Sequence, residues 1–505
     1  MRKMVLARRI SQAIFLVLFV YILWSTTYPL TGPISPELFF KTDPLVVVMT
    51  SLSERVLLPG LGLALGMLAV TLLLGRFFCG WICPLGTAID VAGGLRRRWA
   101  VLGDGQNRVL RRIKFGLLAL IAVAAIFGRQ IAWLFDPIVL AGRFVSLNLI
   151  PAVTSLANLV FIFLIKDLGL GGPLKDFYHS LKPTILGVKV AYFPHAGLIL
   201  AYFLIVLAGA VVISRLWCRA ICPLGAFYAL AARFAPLRRT IDECSKCGKC
   251  KSACRTGAIK DDLDYVQGEC ILCMDCIYTC PIHITKFQFR LGRVAEKGGV
   301  EEGAGSKKAG GAISRKDFFV LLFSSIFLLG FRRKGEKALV RSAVIRPPAS
   351  LEEEEFVNRC IRCGNCMKVC ITNGLQPVGW QAGIEGIWTP QLVPEIGYCE
   401  YRCTLCGNTC PTGAIPKISL PQKLKTRLGT ARIDHAICLP WARLTQCIVC
   451  EEHCPVADKA IKLERDSRTG TLKPIVNEEL CVGCGICQYK CPVRPARAIR
   501  VSSCK

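Results

Sequence analysis

The chain has 505 residues, 53% of them hydrophobic, and a mean hydropathy of +0.45, which is too apolar for an ordinary soluble protein and calls for membrane segments. Its formal net charge of +29 comes with Lys and Arg crowded at the ends of apolar runs, a pattern that fits anionic lipid; no RNA or DNA module accompanies it, so nucleic acid is excluded as a partner. Of the 29 cysteines, 24 fall into six four-cysteine motifs and four into two Cys-x3-Cys-Pro motifs, leaving Cys504 as a tail thiol; a disulfide scaffold would not need this register six times.

Arg2, Lys3, Arg8 and Arg9 precede an apolar run at 10–30, which reads as a first membrane helix entered from the cytoplasm, because basic flanks stay inside. Residues 31–55 read as an outer loop, and 56–78 as a second span that returns inward and ends in CGWICPLG at 79–86. The basic cluster from Arg96 to Lys114 is a cytoplasmic signature, and 115–135 reads as a third span leading out to Asp136 and Pro137. Residues 144–165 are long enough to cross but contain Asn148, Pro151, Ser155 and Asn158, and a crossing would put Cys218 outside, so this segment is expected to lie in or along the outer face. A fourth span at 196–216 ends in CRAICPLG at 218–225. Residues 1–235 thus form a membrane domain of two related hairpins, whose Pro and Gly fit a helix-to-loop break. Cys79, Cys83, Cys218 and Cys222 are candidates for a further metal, cluster or dithiol–disulfide site, with Trp81 and Trp217 as interface anchors.

Residues 236–290 hold Cys244, Cys247, Cys250 and Cys254, and then Cys270, Cys273, Cys276 and Cys280, each set spaced Cys-x2-Cys-x2-Cys-x3-Cys, with Pro281 closing the second. Three close thiolates hold three corners of an iron–sulfur cube, and the fourth Cys ligates the other cube. Cys244, Cys247 and Cys250 therefore pair with Cys280, and Cys270, Cys273 and Cys276 with Cys254. Zinc, the rival for four thiolates, does not account for two intact copies with a Cys-Pro ending. A linker follows at 291–313, then a short apolar segment at 314–332 that reads as a fifth crossing or signal-like anchor, and a second linker at 333–355. Residues 356–505 carry Cys360, Cys363, Cys366, Cys370; Cys399, Cys403, Cys406, Cys410; Cys438, Cys447, Cys450, Cys454; and Cys481, Cys484, Cys487, Cys491. Neighbour pairing and nested pairing of these four motifs are both compatible with the spacing. The total is six [4Fe-4S] clusters, suited to one-electron transfer. His179, His195, His283, His435 and His453 are too few and too scattered for a bis-His haem, and His283 and His453 beside cluster cysteines read as solvated loop residues.

The four spans, the two Cys-x3-Cys-Pro-Leu-Gly motifs and the ferredoxin pair Cys244 to Cys280 resemble the NapH/MauN family of membrane ferredoxins. From Ser314 onward the chain is similar to the NapG/MauM ferredoxin-type proteins, with an export-like SRKDFF start and four Cys motifs, so the whole looks like a fusion of the two. The fold class expected is an α-helical membrane bundle of four spans plus a fifth, carrying α+β bacterial-type 2[4Fe-4S] ferredoxin domains. The resemblance implies a multi-pass inner-membrane protein that oxidises quinol and delivers electrons to a reductase or cytochrome outside, with 236–290 cytoplasmic and 356–505 periplasmic. Asp90, Asp136 and His195, near span ends, are the candidate bases for quinol chemistry, and no catalytic residue stands out among them. Similar membrane modules occur in maturation proteins, including copper-handling ones, which makes a client-metal maturation factor the alternative function.

Overall fold

The computed structural model describes residues 2–30, 32–95, 102–182, 186–187, 191–241, 244–290 and 344–504. The segment expected to cross at 314–332, the linker at 291–313 and the start of the linker at 333–355 lie outside the described residues. Two compact units emerge, one from the described residues of Met1–Phe19, Phe39–Ala141 and Tyr202–Phe331, the other from those of Val20–Leu38, Gly142–Ala201 and Arg332–Lys505.

The principal apolar helices are, in chain order, α1 (Arg2–Trp24), α2 (Pro44–Glu54), α3 (Leu61–Leu74), α4 (Phe77–Trp81), α5 (Pro84–Gly93), α6 (Asp104–Ile126), α7 (Pro137–Lys166), α8 (Ala196–Val212), α9 (Leu216–Ala220) and α10 (Pro223–Ala232). No Gly or Pro interrupts α1. Among the described residues, Lys3–Trp24 and Pro137–Lys166 are the two helices long and apolar enough to cross a membrane, with 22% and 17% of their apolar windows buried. Of the other expected spans, 56–78 contains the 14-residue α3, 196–216 contains the 17-residue α8, and 115–135 begins inside α6, whose first half carries Asp104, Arg108, Arg111, Arg112 and Lys114.

The segment at 144–165, expected along the outer face, belongs to the 30-residue α7. Pro151 does not break it, because a wider π-helical turn at Val145–Leu149 runs just before it, with the Ile150 N–H donating to the Val145 carbonyl. Two of the polar residues that argued against a crossing make hydrogen bonds within the same unit: Asn148 Nδ2 donates to the Ala196 carbonyl at 2.9 Å, and the Tyr178 hydroxyl donates to Asn158 Oδ1 at 2.9 Å.

The Cys-Pro-Leu-Gly motifs start helices rather than ending them. Cys83 and Cys222 are the N-caps of α5 and α10, each with Pro in the first turn, and their thiols accept from Gly86 N at 3.4 Å and Gly225 N at 3.2 Å. After α10, strands β1 (Leu237–Ile241) and β2 (Thr285–Phe289) pair antiparallel from Leu237↔Phe289 to Ile241↔Thr285, closing the ends of a small ferredoxin domain. In the second unit β3 (Leu375–Pro377) pairs with β4 (Pro390–Leu392), β5 (Gly429–Ile433) with β8 (Ile499–Ser503), and β6 (Ile461–Arg465) with β7 (Leu472–Val476), all antiparallel. Ala431, Ile461 and Ile499 pack with buried cysteines into one small core there. Both cysteine-rich parts are therefore α+β ferredoxin domains.

Candidate metal centres

In the first unit, the β1–β2 ladder folds the chain so that Cys280 returns to the first motif. One cavity is lined by Cys244, Cys247, Cys250 and Cys280 together with Arg239 and Ile241. Cys254 is an electrostatic neighbour of Cys270, Cys273 and Cys276, which makes the second quartet. This is the cross-pairing read from the spacing. The two quartets adjoin, since Cys250 also acts on Cys276. They differ in access, with Cys244 and Cys247 exposed, Cys276 buried, and Cys270 and Cys273 half-buried.

In the second unit, Cys410 acts on Cys360, Cys363 and Cys366, while Cys370 acts on Cys399, Cys403 and Cys406. Cys491 acts on Cys438, which neighbours Cys447 and Cys450. A cavity lined by Cys454, Cys481, Cys484 and Cys487 completes the set. Neighbour pairing is the arrangement found, first motif with second and third with fourth; nested pairing is not. The quartets also follow one another in space: Cys366 is acted on by Cys406, Cys484 by Cys399, and Cys487 by Cys450. The Cys399 N–H donates to the Cys484 carbonyl at 2.8 Å, tying two quartets together through the backbone.

These thiols fit four-iron cubes. Backbone N–H groups aim at sulfur, among them Lys246 N to Cys244 at 3.4 Å, Ala258 N to Cys254 at 3.2 Å, Ile415 N to Cys410 at 3.4 Å and Ala431 N to Cys481 at 3.4 Å. Among the described residues, no three His, Cys, Asp or Glu side chains converge tightly enough to hold a single metal ion. A lone zinc would draw four sulfurs to about 2.3 Å of one centre, whereas a cube gives each thiolate its own iron.

The four remaining motif thiols, Cys79, Cys83, Cys218 and Cys222, come together at the heart of the first unit. All four are buried, and Cys79 and Cys218 both act electrostatically on Cys83 and Cys222. Burial pushes the Cys83 and Cys222 thiols well above their ordinary pKa, so they stay protonated at neutral pH unless a metal or cluster takes the proton's place. Two arginines cross between the motifs. Arg215 donates to the Cys79 carbonyl at 2.8 Å and forms an ion pair with Asp90 at 2.7 Å. Arg76 binds Glu269 at 2.9 Å, and its Nη2 lies 2.7 Å from where a Gly225 side chain would begin. That Nη2 is buried and has no hydrogen-bond partner among the described residues. Arg76 and Arg215 stand three residues before Cys79 and Cys218, so the repeat is really Arg-x2-Cys-x3-Cys-Pro-Leu-Gly, a signal present in the sequence but not singled out there.

This group abuts the second quartet. The Trp81 indole N–H donates to the Leu272 carbonyl at 3.0 Å, and a Cβ on Gly80 would run into the Ile271 carbonyl oxygen, so only glycine permits that approach. Arg219 donates to the carbonyls of Cys254 at 3.2 Å and Arg255 at 2.8 Å. Lys114 and Arg76 both bind buried Glu269; burial would raise its pKa, but the two cations hold it below its ordinary value.

The other singled-out residues are placed as follows. Trp81 and Trp217, expected as interface anchors, make protein contacts: Trp81 bonds the ferredoxin segment, and Trp217 is buried edge-on to Tyr202 at 6.0 Å. Asp90 is engaged by Arg215, Arg255 and Arg8, so it is a structural carboxylate. His195 packs its ring where a Gly379 side chain would stand, 3.2 Å away, in the second unit. His453 bonds the Val449 carbonyl at 3.0 Å rather than a thiolate. Cys504 is exposed, with the Thr430 hydroxyl at 3.3 Å. Lys368, two residues from Cys366, donates to the Trp24 and Thr26 carbonyls at 3.1 and 2.9 Å at the end of α1, and burial holds its pKa down to about 7.

A family model described as a 4Fe-4S binding domain matches 56–101 and 196–241, the two stretches that hold the buried four-thiol group; a second 4Fe-4S binding domain model matches 474–495. The chain is 33% identical over 189 residues to the methylamine utilization ferredoxin-type protein MauM of Methylorubrum extorquens, covering 36% of this chain and 82% of that protein. It is 35% identical over 175 residues to MauM of Paracoccus denitrificans, covering 32% of this chain and 76% of the relative. With the ferredoxin-type protein NapG of Escherichia coli it shares 34% identity over 154 residues, 29% of this chain and 65% of the relative. No solved structure matches.

Proposed function

This chain belongs to the family of MauM and NapG ferredoxin-type proteins and is an iron–sulfur electron-transfer protein; on that premise we propose that it takes electrons from quinol at a membrane and passes them to a redox partner protein. The observation that carries the proposal is that within each unit the thiol quartets are electrostatic neighbours of one another, which structural clusters in separate small folds would not require. When bound, a four-iron cube at each of the six quartets supplies reversible one-electron storage.

The protein's own residues do the rest. Cys244 and Cys247 bring one quartet to the surface, where a soluble partner reaches it. Gly80, Trp81 and Arg219 hold the second quartet against the buried four-thiol group, which we assign as a further redox or metal site. The Cys399–Cys484 backbone bond fixes the spacing of two quartets in the second unit. We further assign 1–235 as a four-span, lipid-embedded domain, 236–290 as cytoplasmic, 314–332 as a fifth crossing or anchor, and 356–505 as periplasmic, in an inner membrane. Full-length protein in lipid vesicles, mixed anaerobically with a reduced short-chain quinone, should show bleaching of cluster absorbance. Clusters that dithionite reduces but quinol never does would reject the quinol step.

A further inference from the structure

In the second unit, two large apolar side chains stand in the open on one short stretch. Among the described residues of 344–504, Ile384 and Trp380 are the two most exposed large hydrophobic residues, at 77% and 69%. They lie on the helical turns Trp380–Ala382 and Gly383–Gly386, between β3 and β4. Single exposed apolar residues are ordinary on any protein surface, so what matters is where this pair stands. It stands beside the start of α8. Asn373 Nδ2 donates to the Tyr192 carbonyl at 3.0 Å, and the His195 ring lies 3.2 Å from where a Gly379 side chain would begin. Tyr192 is itself 66% exposed.

The same turns are braced against the loop of the first motif of 356–505 and, through it, against α7. Arg362, between Cys360 and Cys363, donates through Nη2 to the Glu385 carbonyl. Arg143 on α7 donates through Nε to the Arg362 carbonyl at 2.8 Å, and its guanidinium lies 4.5 Å from the centre of the Trp388 ring. A Cβ on Gly364 would stand 3.2 Å from Leu147 and 3.3 Å from Ser146, in the π-helical turn of α7. This loop is therefore seated on α7 at the level where Asn148 bonds Ala196, the first residue of α8. Beyond that level α7 exposes Leu156, Leu159 and Phe163 on one face, and α8 exposes Leu198 and Leu200.

We propose that the turns carrying Trp380 and Ile384, with Tyr192, form a foot that rests in the headgroup layer of the bilayer, a lipid contact made by the ferredoxin domain itself. The proposal rests on the reading of α7 and α8 as lipid-embedded. The occupant is lipid because the foot continues directly into the apolar helix faces that this reading gives to the bilayer. Trp and Tyr are the side chains favoured at that boundary. Gln381 and Glu385, exposed on the same turns, suit the interface rather than the hydrocarbon core. Because Arg362 ties the foot to the loop of the first motif, the contact holds the quartet of Cys360, Cys363, Cys366 and Cys410 at the membrane surface.

The test uses full-length protein in phospholipid vesicles that contain a diazirine phospholipid, its reactive group at the headgroup end of one acyl chain. After illumination, peptide mass spectrometry should find lipid adducts on Trp380 or Ile384 and on the exposed face of α7. Leu444 and Ile448, exposed near the third motif, should carry none. The double variant Trp380→Gln, Ile384→Gln changes only exposed side chains; it should lose adducts on 379–388 several-fold while α7 labelling and cluster absorbance stay native. The native chain alone already decides the matter. Adducts on α7 with none at 380–384 would overturn the foot, leaving these side chains to water, a protein partner or another segment of the chain. Labelling of Leu444 and Ile448 as strong as that of Trp380 would also overturn it. A native chain with no adducts on α7 overturns the lipid-embedded reading, a result distinct from a loss confined to 380–384.

Discussion

Asp90 and Arg215 show how one residue pair supports the buried thiols. Arg215 is fully buried and donates to both Asp90 oxygens, at 2.8 and 2.7 Å. Burial would raise the Asp90 pKa, but Arg215, and after it Arg255, hold it below the usual carboxylate range. Because the folded-state pKa lies below the unfolded value of about 3.9, the pair's contribution is complete above about pH 4 and is lost only as pH falls below that toward the folded value. Asp90→Asn leaves the Arg215 guanidinium buried without its counter-charge, at a cost of about 3–5 kcal/mol. The measurement is the thermal unfolding midpoint of variant against native, with a gap that is full near neutrality and narrows in acid. An equal midpoint at pH 7 would mean the ion pair is dispensable. At the same scale, Trp81→Phe keeps the ring but deletes one hydrogen bond to Leu272, and should cost only about 1 kcal/mol.

At the scale of elements, the cross-pairing makes each ferredoxin half depend on the other. Cys410 belongs with Cys360, Cys363 and Cys366, although the sequence places it in the next motif. Cys360→Ser and Cys410→Ser should therefore disturb the same centre, and the double variant should lose no more iron than the worse of the two single variants. Additive losses would argue for two separate centres. The α4 contact is equally specific. Gly80→Ala drives a methyl into the Ile271 carbonyl, a backbone clash that rotamers cannot relieve, and should lower stability by about 1–3 kcal/mol. Adding Ala at Gly103, whose surroundings are open, is the control and should change the unfolding midpoint little.

For the molecule as a whole, the cysteine register was the most legible feature, because spacing alone decides which thiols can share a cube and which must reach across. Neighbour against nested pairing was not legible, since Cys410 or Cys491 could complete either triplet until tertiary folding brought one near. Residues 144–165 were only partly legible for a related reason: Asn148 and Asn158 look hostile to lipid until Ala196 and Tyr178 supply partners. Trp81 reads as an anchor in any hydropathy scan, and only the fold puts a ferredoxin carbonyl beside it. Topology reporters after Phe289 and after Arg346 should land on opposite sides of the membrane; a shared side would remove the transmembrane route while leaving the electron carrier intact. The most direct test of the central claim is an iron and acid-labile sulfide assay on anaerobically purified full-length protein. Six quartets predict about 24 of each, or about 28 if the buried four-thiol group also holds a cube. Zinc in place of iron, or iron far below two dozen atoms per chain, would contradict it.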